Sequence, residues 1–303
     1  MTRKSSRERF GLWLQIKKQE YQARSKELRF AMYRVRRSPL TIVGFIFIIP
    51  IILMAVFAPW LATHNPLKTD ISHKLEPPSP SHLFGTDQLG RDIFSRVVYG
   101  SRISLQAGIT IVGIAMVVGI LLGSIAGYFG GWIDEAITRV TDIFLSLPSL
   151  ILALVVAAAL GPSLTNTVIA LSAVWWPWYT RLVRGQILSI KENPYVEAAR
   201  AAGATNLRII FSHVLPNCIS PIIVLATLDL GFAILTSSGL SFIGLGAQPP
   251  TPEWGAMLSE ARNYIRESWW FPVFPGLAVS ITVLAFNLVG DGFRDILDPK
   301  FRR

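Results

Sequence analysis

The sequence predicts an all-α membrane protein with six transmembrane helices and both termini on the cytoplasmic side. Three observations carry this. Only 16% of the 303 residues are charged while 51% are hydrophobic, with a mean hydropathy of +0.45, too few charges for a soluble globule of this length. Several apolar runs reach the roughly 20 residues that a helix needs to cross a bilayer. The basic residues are also unevenly placed: loops assigned to this topology put 22 of the 29 Lys and Arg inside and seven in two long outer loops.

The same charge distribution bounds function. The formal net charge of +10 suits a nucleic-acid binder by magnitude, but residues 1–37 alone hold twelve Lys or Arg against three Glu, all before the first apolar run. That is the positive-inside signature of a cytoplasmic N-terminus, so no nucleic acid is expected as a partner. A cleavable signal peptide is not expected, because the basic stretch is too long and the first apolar run begins too late. A single cysteine, Cys218, excludes an internal disulfide framework and a cysteine-rich metal site.

Residues 1–37 read as a basic cytoplasmic tail. Phe10, Trp13, Leu14 and Ile16 among its lysines and arginines suit an interfacial helix on an anionic leaflet, and a simple orientation signal accounts for them equally well. Residues 38–102 make the first transmembrane helix and an extracytoplasmic region. No Lys, Arg, Asp or Glu occurs from Ser38 to Leu67, and residues 41–61 form span 1, with Trp60 at its outer end as an interfacial aromatic. Beyond it, Pro77, Pro78 and Pro80 rule out a long regular helix. Residues 92–99 have helical apolar spacing and are expected to lie along the outer surface. His64, His73 and His82 lack a tight ligand spacing and read as ordinary loop histidines, with no metal site expected.

Residues 103–303 form a five-helix core. Span 2 covers about 103–128, and Gly119, Gly123 and Gly127 recur every fourth residue, continuing to Gly131, so that another span can approach closely. Residues 130–139 read as a short cytoplasmic link. Span 3 covers about 140–160, bent near Pro148, and Gly161, Pro162 and Ser163 make an outer turn. Span 4 covers about 164–182; its Trp175, Trp176 and Trp178 around Pro177 either pack and anchor at the interface, the favoured reading, or line a conduit. Span 5 covers about 219–240 and contains Asp229. A carboxylate near mid-membrane is costly and marks a candidate pathway residue, against a bond to a neighbouring helix or a shifted span boundary. Residues 241–272 return outside, span 6 covers about 273–289, and the chain ends in a basic tail.

Between spans 4 and 5 lies the longest clearly amphiphilic, charged insert between apolar runs, residues 191–217. Asn193 stands at the N-cap of a helix beginning with Pro194, and Glu197 falls in its opening turns, where the helix dipole favours a negative charge. Gly203 breaks this helix. A second starts at Thr205, puts Leu207, Ile210, Phe211 and Val214 on one face, and stops at Pro216. Two helices this short are marginal alone. The insert therefore reads as an interface element, either an ordinary amphipathic pair or a docking site for a soluble partner.

No GxxxxGK[ST], HExxH or GxSxG motif is present, and Asp229 has no acidic or histidine partner one helical turn away. The chain is not expected to be an enzyme. A transport subunit, a structural or receptor-like membrane subunit and an enzyme are the three classes weighed, in that order.

The stretch EAARAAGATNLRIIFSHVLPN resembles the EAA loop of binding-protein-dependent ABC importer permeases, with Glu197, Ala198, Ala199, Gly203, His213, Leu215, Pro216 and Asn217 at the family's spacing. FGTDQLGRDIFSRVVYGSRISL (84–105), LSFIGLGAQPPTPEWGAML (240–258) and GDGFRDILDP (290–299) resemble the dipeptide/oligopeptide/nickel group, in the family's order. The basic start, single span and long outer region resemble the C-type permease of its heteromeric pair. The resemblance implies a type I ABC importer transmembrane fold in a prokaryotic cytoplasmic membrane. Its implied partners are a homologous B-type permease, two ABC ATPase subunits, an extracytoplasmic solute-binding protein and membrane lipid. ATP and magnesium would be bound by the ATPases, and no cofactor by this chain. Glu197, Ala198, Ala199, Arg200, Gly203, Leu207, Ile210, Phe211 and His213 would form the ATPase-coupling element. Within it Glu197 and Arg200 would give polar contacts, Gly203 the turn, and Leu207, Ile210 and Phe211 an apolar wedge. Asp87, Arg91, Asp92 and Trp254 are candidates for contact with the binding protein or for structuring the outer loops, structuring being favoured.

One departure stands out. The group commonly carries a glutamate where this chain has Ser237, while Asp229 places a carboxylate about two turns earlier, as if the acidic function had moved along the pathway. Peptide is the expected solute. Nickel, glutathione, opines and oligosaccharides are the alternatives within the group.

Overall fold

The computed structural model describes residues 38–297. The basic tail of residues 1–37 and the final basic residues lie outside the described residues, and with them the placement of the two termini. Among the described residues all regular secondary structure is helical, apart from one isolated antiparallel bridge between Thr86 and Asp92.

The first long helix, α1 (Pro39–Val56), opens on Ser38, whose hydroxyl accepts from Thr41 N–H at 3.4 Å, with Pro39 in the first turn where its missing N–H costs nothing. A four-residue turn, α2 (Ala58–Leu61), ends this segment. The outer region then runs irregularly to α3 (Ile93–Phe129), 37 residues long and capped by the Asp92 carboxylate on Ser95 N–H at 2.8 Å. The 92–99 stretch is therefore no separate surface helix. It is the first two turns of α3, because nothing between Asp92 and Gly130 breaks the backbone.

Helices α4 (Gly131–Ser146) and α5 (Ser149–Leu160) follow. The expected link at 130–139 is itself helical, and the bend at Pro148 is a break of 90° between α4 and α5. The residue before a proline is pushed out of the α region, and Leu147 sits extended at ψ 143. Helix α6 (Leu164–Ile190) runs back along α3 in the most extensive helix pair of the molecule. The glycine stripe explains why. A Cβ at Gly123 would stand 2.6 Å from Thr180 O, and one at Gly127 3.0 Å from Arg184 O and Ile187 Cβ. Gly131 leaves the stripe: its φ is +58 and nothing lies within 4 Å of it.

The insert forms α7 (Pro194–Ala201) and a second arm that begins with α8 (Asn206–Ile209) and a π-turn over Ile210–Val214. This arm runs directly into α9 (Leu215–Phe242). Pro216 does not end the arm, since it falls in the opening turn of α9, where a proline is tolerated. An outer loop and α10 (Trp254–Ala261) lead to α11 (Trp270–Leu297), which packs on α1 and α9.

Four helical segments are long and apolar enough to cross a membrane: residues 39–56, 93–129, 206–242 and 270–295; the bent α4–α5 pair makes a fifth. Helix α6, the expected fourth span, is outside this set. It is 27 residues long, about 40 Å at 1.5 Å per residue, but its second half carries Arg181, Arg184 and Gln186. The fold is thus all-α and multi-pass. Apolar side chains such as Ile46, Ile49 and Leu53 of α1 point outward, as lipid requires.

Candidate functional site

Helix α3 separates two distinct polar regions. Its first turns touch the outer loops, its last turn touches the insert, and 37 residues span about 55 Å.

At the inner end, the insert is stapled to the bundle by its apolar inner face. Val196, Ile209, Ile210, Val214 and Cys218 are buried with Tyr128, Val183 and Ile187. The Tyr128 hydroxyl donates to Asn206 Oδ1 at 2.8 Å. The two arms are tied to each other where Asn217 Nδ2 donates to His213 O at 2.7 Å and to the Tyr195 hydroxyl at 3.2 Å. Gly203 makes the corner at φ +82, a left-handed conformation costly for any residue with a Cβ.

The exposed face presents Tyr195, Leu207 and Phe211, the last two 65% and 59% exposed, beside Glu197, Ala198 and Arg200. Ile210 does not belong to this face. The expected single stripe of Leu207, Ile210, Phe211 and Val214 is split, since the π-turn rotates the arm and sends Ile210 and Val214 into the core. Ala199 and His213 are half-buried. Asn193 holds the N-cap position, but its side chain caps nothing at N2 or N3. Its amide donates backward to Ile190 O at 2.9 Å, closing α6 instead. Below the insert, Arg184 of α6 forms a two-pronged pair with Asp134 of α4, Nη2 to Oδ2 at 2.7 Å, and Lys191 Nζ donates to Gly127 O at 3.1 Å.

Asp229 lies near the middle of α9, half-buried, and interacts with the Tyr179 hydroxyl of α6. The geometry falls short of a hydrogen bond, for the buried Tyr179 Oη has no partner within bonding distance and angle. Tyr179, on a different helix and 50 positions away in the chain, is the polar neighbour that sequence proximity does not reveal. Trp175 packs inward, stacked on Phe232 at 5.2 Å, while Trp178 is exposed.

At the outer end, Asp87, Arg91, Asp92 and Trp254 are all at most 2% exposed. Burial removes them from direct surface contact in this conformation and gives each an internal role. Asp87 accepts from Arg91 Nε at 2.5 Å, and Glu260 of α10 accepts from Arg91 Nη2 at 3.0 Å and from Arg96 Nη2 at 2.9 Å. Arg96 also donates to Pro66 O and Pro250 O. Two guanidiniums and two carboxylates thus hold the outer loops, α3 and α10 in one neutral cluster. Trp254 Nε1 donates to Val97 O at 3.0 Å.

Glu253 was not foreseen. It is 1% exposed, caps α10 through Ala256 N–H, and accepts from Ser104 at 3.1 Å and Ser238 at 2.8 Å. A buried carboxylate therefore does reach the residue next to Ser237, carried in by the outer loop. His64, His82 and Asp92, 28 residues apart at their extremes, offer ligand atoms within 4.8 Å of one another. Loop folding assembles this cluster, and sequence spacing gives no sign of it. Beside it, Glu76 accepts from His73 Nδ1 at 2.9 Å, which holds that imidazole's pKa above its ordinary value.

Comparison with known proteins fits this anatomy. Residues 119–303 match the binding-protein-dependent transport system inner membrane component family, and residues 28–78 match the N-terminal transmembrane domain of oligopeptide transport permease C. The chain is 49% identical over 279 residues to the probable D,D-dipeptide transport system permease protein of Escherichia coli (strain K12), covering 91% of this chain and 94% of that protein. It is 50% identical over 274 residues to a dipeptide transport system permease protein of Alkalihalophilus pseudofirmus, covering 90% of each. A glutathione transport system permease protein of Pectobacterium atrosepticum is 44% identical over 270 residues, covering 89% of this chain and 90% of that protein. Among solved structures, an inward-facing MetNI methionine ABC transporter chain superposes with a TM-score of 0.55 at 21% identity, covering 67% of this chain and 97% of that one. That likeness speaks for the fold. The relatives are transport permeases and not ATPases, so this chain is no enzyme in its own right. On the family match and these relatives, the chain belongs to the binding-protein-dependent transport system inner membrane components, as a C-type permease subunit of the dipeptide/oligopeptide/nickel group of ABC importers.

Proposed function

We infer that this chain forms half of a translocation pathway for peptides delivered by a solute-binding protein, and that residues 191–217 couple it to a cytoplasmic ATPase. One observation carries the coupling role. The insert's inner face is fixed to the ends of α3 and α6, while its outer face leaves Leu207 and Phe211 exposed beside Glu197 and Arg200. Exposed apolar side chains rimmed by charge mark a protein contact. A movement of the insert would pass through Val196, Ile209 and Ile210 to α3, α6 and α9. Partner ATPases, binding ATP and magnesium, would supply that movement, and a homologous B-type permease would complete the pathway.

The reading takes α1, α3, the α4–α5 pair, α6, α9 and α11 as six spans with both termini inside. Helix α6 is included because it packs against α3 along the glycine stripe. The turn before it also lies at the outer end, where Ser163 N–H donates to Leu245 O at 3.3 Å. Peptide as solute rests on the dipeptide-permease relatives; the glutathione permease relative supports glutathione, itself a peptide, as the second reading. Asp229 is assigned to the pathway, with Tyr179 as its neighbour.

The test is peptide uptake and binding-protein-stimulated ATPase activity of the reconstituted complex, with and without Gly203→Asp. A side chain at φ +82 strains the corner, and the added carboxylate lies in open space beside the contact face. Peptide-dependent stimulation lost in the variant, with the membrane part intact, is the expected result. Full stimulation with normal ATPase co-purification would refute the coupling assignment.

A further inference from the structure

The geometry points to a binding site on the outer face for one divalent transition-metal ion of the zinc class, held by His64, His82 and Asp92. The Asp92 Oδ1 atom stands 2.9 Å from His82 Nδ1 and 3.8 Å from His64 Nδ1. With bonds of about 2.0–2.1 Å, neighbouring ligand atoms around tetrahedral zinc lie about 3.3 Å apart. The two separations straddle that value and all three ligand atoms lie within 4.8 Å of one another, so side-chain rotations would bring them onto one ion. The two imidazole rings face each other, 4.8 Å between centroids and 30° from parallel.

The surroundings hold these ligands in place. Asp92 Oδ2 is occupied by Ser95 N–H at 2.8 Å, which leaves Oδ1 as the atom offered to both imidazoles. The backbone of His64 is pinned by its own N–H to Ser95 Oγ at 2.9 Å, so two of the three ligands hang from the same turn of α3. The carbonyl of His82 accepts from Ser79 N–H at 2.9 Å and Gly85 N–H at 2.8 Å, fixing the third. Outer-sphere bonds of this kind orient ligands and set affinity.

Access is open on one side. His64 is 42% exposed and borders a hollow of about 510 Å³ that also touches Asn65 and Tyr99, so this ligand is reached from solvent. Imidazole with carboxylate suits zinc and its neighbours; magnesium prefers an all-oxygen shell. On binding, His82 gives up its Nδ1–H bond to Asp92 and coordinates through Nδ1, with its proton on Nε2. The ion would clasp the end of the first span to the loop before α3 and to α3 itself. Metal binding to a preformed set of ligands stabilises the folded state that presents them.

The test uses the full complex in lipid nanodiscs, stripped with chelator and titrated with zinc chloride, and reads bound zinc per complex and the thermal midpoint. Wild-type complex should bind one more zinc ion than the His64→Gln complex at micromolar free zinc. It should show a midpoint rise that His64→Gln and His82→Gln reduce and magnesium does not reproduce. Affinity should fall about a hundredfold in each variant, as expected for loss of a ligand when outer-sphere changes alone cost 10–100-fold. His64→Gln alters a partly exposed ring, so its assembly with the partner subunits checks that the fold survives. Equal zinc content and equal midpoint shifts in wild type and both variants would overturn the site, and so would an equal response to magnesium.

Discussion

Glu260→Leu should loosen the whole outer half of the subunit. The glutamate bridges Arg91 and Arg96, whose side chains are 1% and 0% exposed, and is itself only 10% exposed. Removing it leaves two buried guanidiniums with Asp87 alone, an uncompensated positive charge. Breaking a buried pair in this way costs about 3–5 kcal/mol. For a chain of this size, each kcal/mol shifts the unfolding midpoint by about 2 °C or slightly more, so a fall of roughly 6–10 °C is expected. The double variant Arg96→Leu/Glu260→Leu separates charge from packing. It restores neutrality by leaving the 2.5 Å Asp87–Arg91 pair and, beyond the loss of Glu260 itself, gives up the Arg96 bonds to the Pro66 and Pro250 carbonyls, at 3.4 and 3.3 Å, and the 3.6 Å approach of Arg96 Nε to Asp87. Such long bonds are worth about 1 kcal/mol or less each. The double variant should therefore be more stable than Glu260→Leu alone. Thermal unfolding of the purified complex, followed by tryptophan fluorescence, reads all three proteins. A single variant within 1 °C of wild type, or a double variant no more stable than Glu260→Leu alone, would refute the neutral-cluster account.

Gly123→Val should separate α3 from α6, because a Cβ there already meets Thr180 O at 2.6 Å; overpacking of this kind costs about 1–3 kcal/mol, read as a lower midpoint and reduced assembly. Leu207→Ser with Phe211→Ser should leave the isolated subunit within about 0.5 kcal/mol of wild type, since both side chains are exposed. The same pair should cut ATPase co-purification at least tenfold, and retention of the ATPase would remove these residues from the contact. Asp229→Asn should lower peptide uptake while assembly and ATPase docking stay normal; unchanged uptake would take Asp229 out of the pathway.

Much of the molecule is legible along the chain because it follows from local rules. Long uncharged runs separated by charged loops give the multi-pass class, since a bilayer admits only helices whose backbone is satisfied internally. The four-residue glycine spacing marks the close face of α3, and Gly203 marks the corner of the insert, because only a residue without Cβ takes φ +82 cheaply. Motif spacing identifies the family. Breaks and continuations between helices depend on context. Pro148 bends the chain by 90°, whereas Pro216 is absorbed into the first turn of α9, and a π-turn turns Ile210 inward although ideal spacing puts it with Leu207. Long-range assemblies leave no local trace at all. Glu260 meets Arg91 across 169 positions, Glu253 meets Ser104 across 149, and His64, His82 and Asp92 converge only when the outer loop folds over α3. Sequence alone determined the class and the family and marked the insert proposed here as the coupling element, because hydropathy, turn chemistry and motif spacing are properties of neighbours in the chain. Which charges neutralise one another, which face of the insert is free and where three ligands meet were decided by tertiary structure, because each depends on atoms brought together through space.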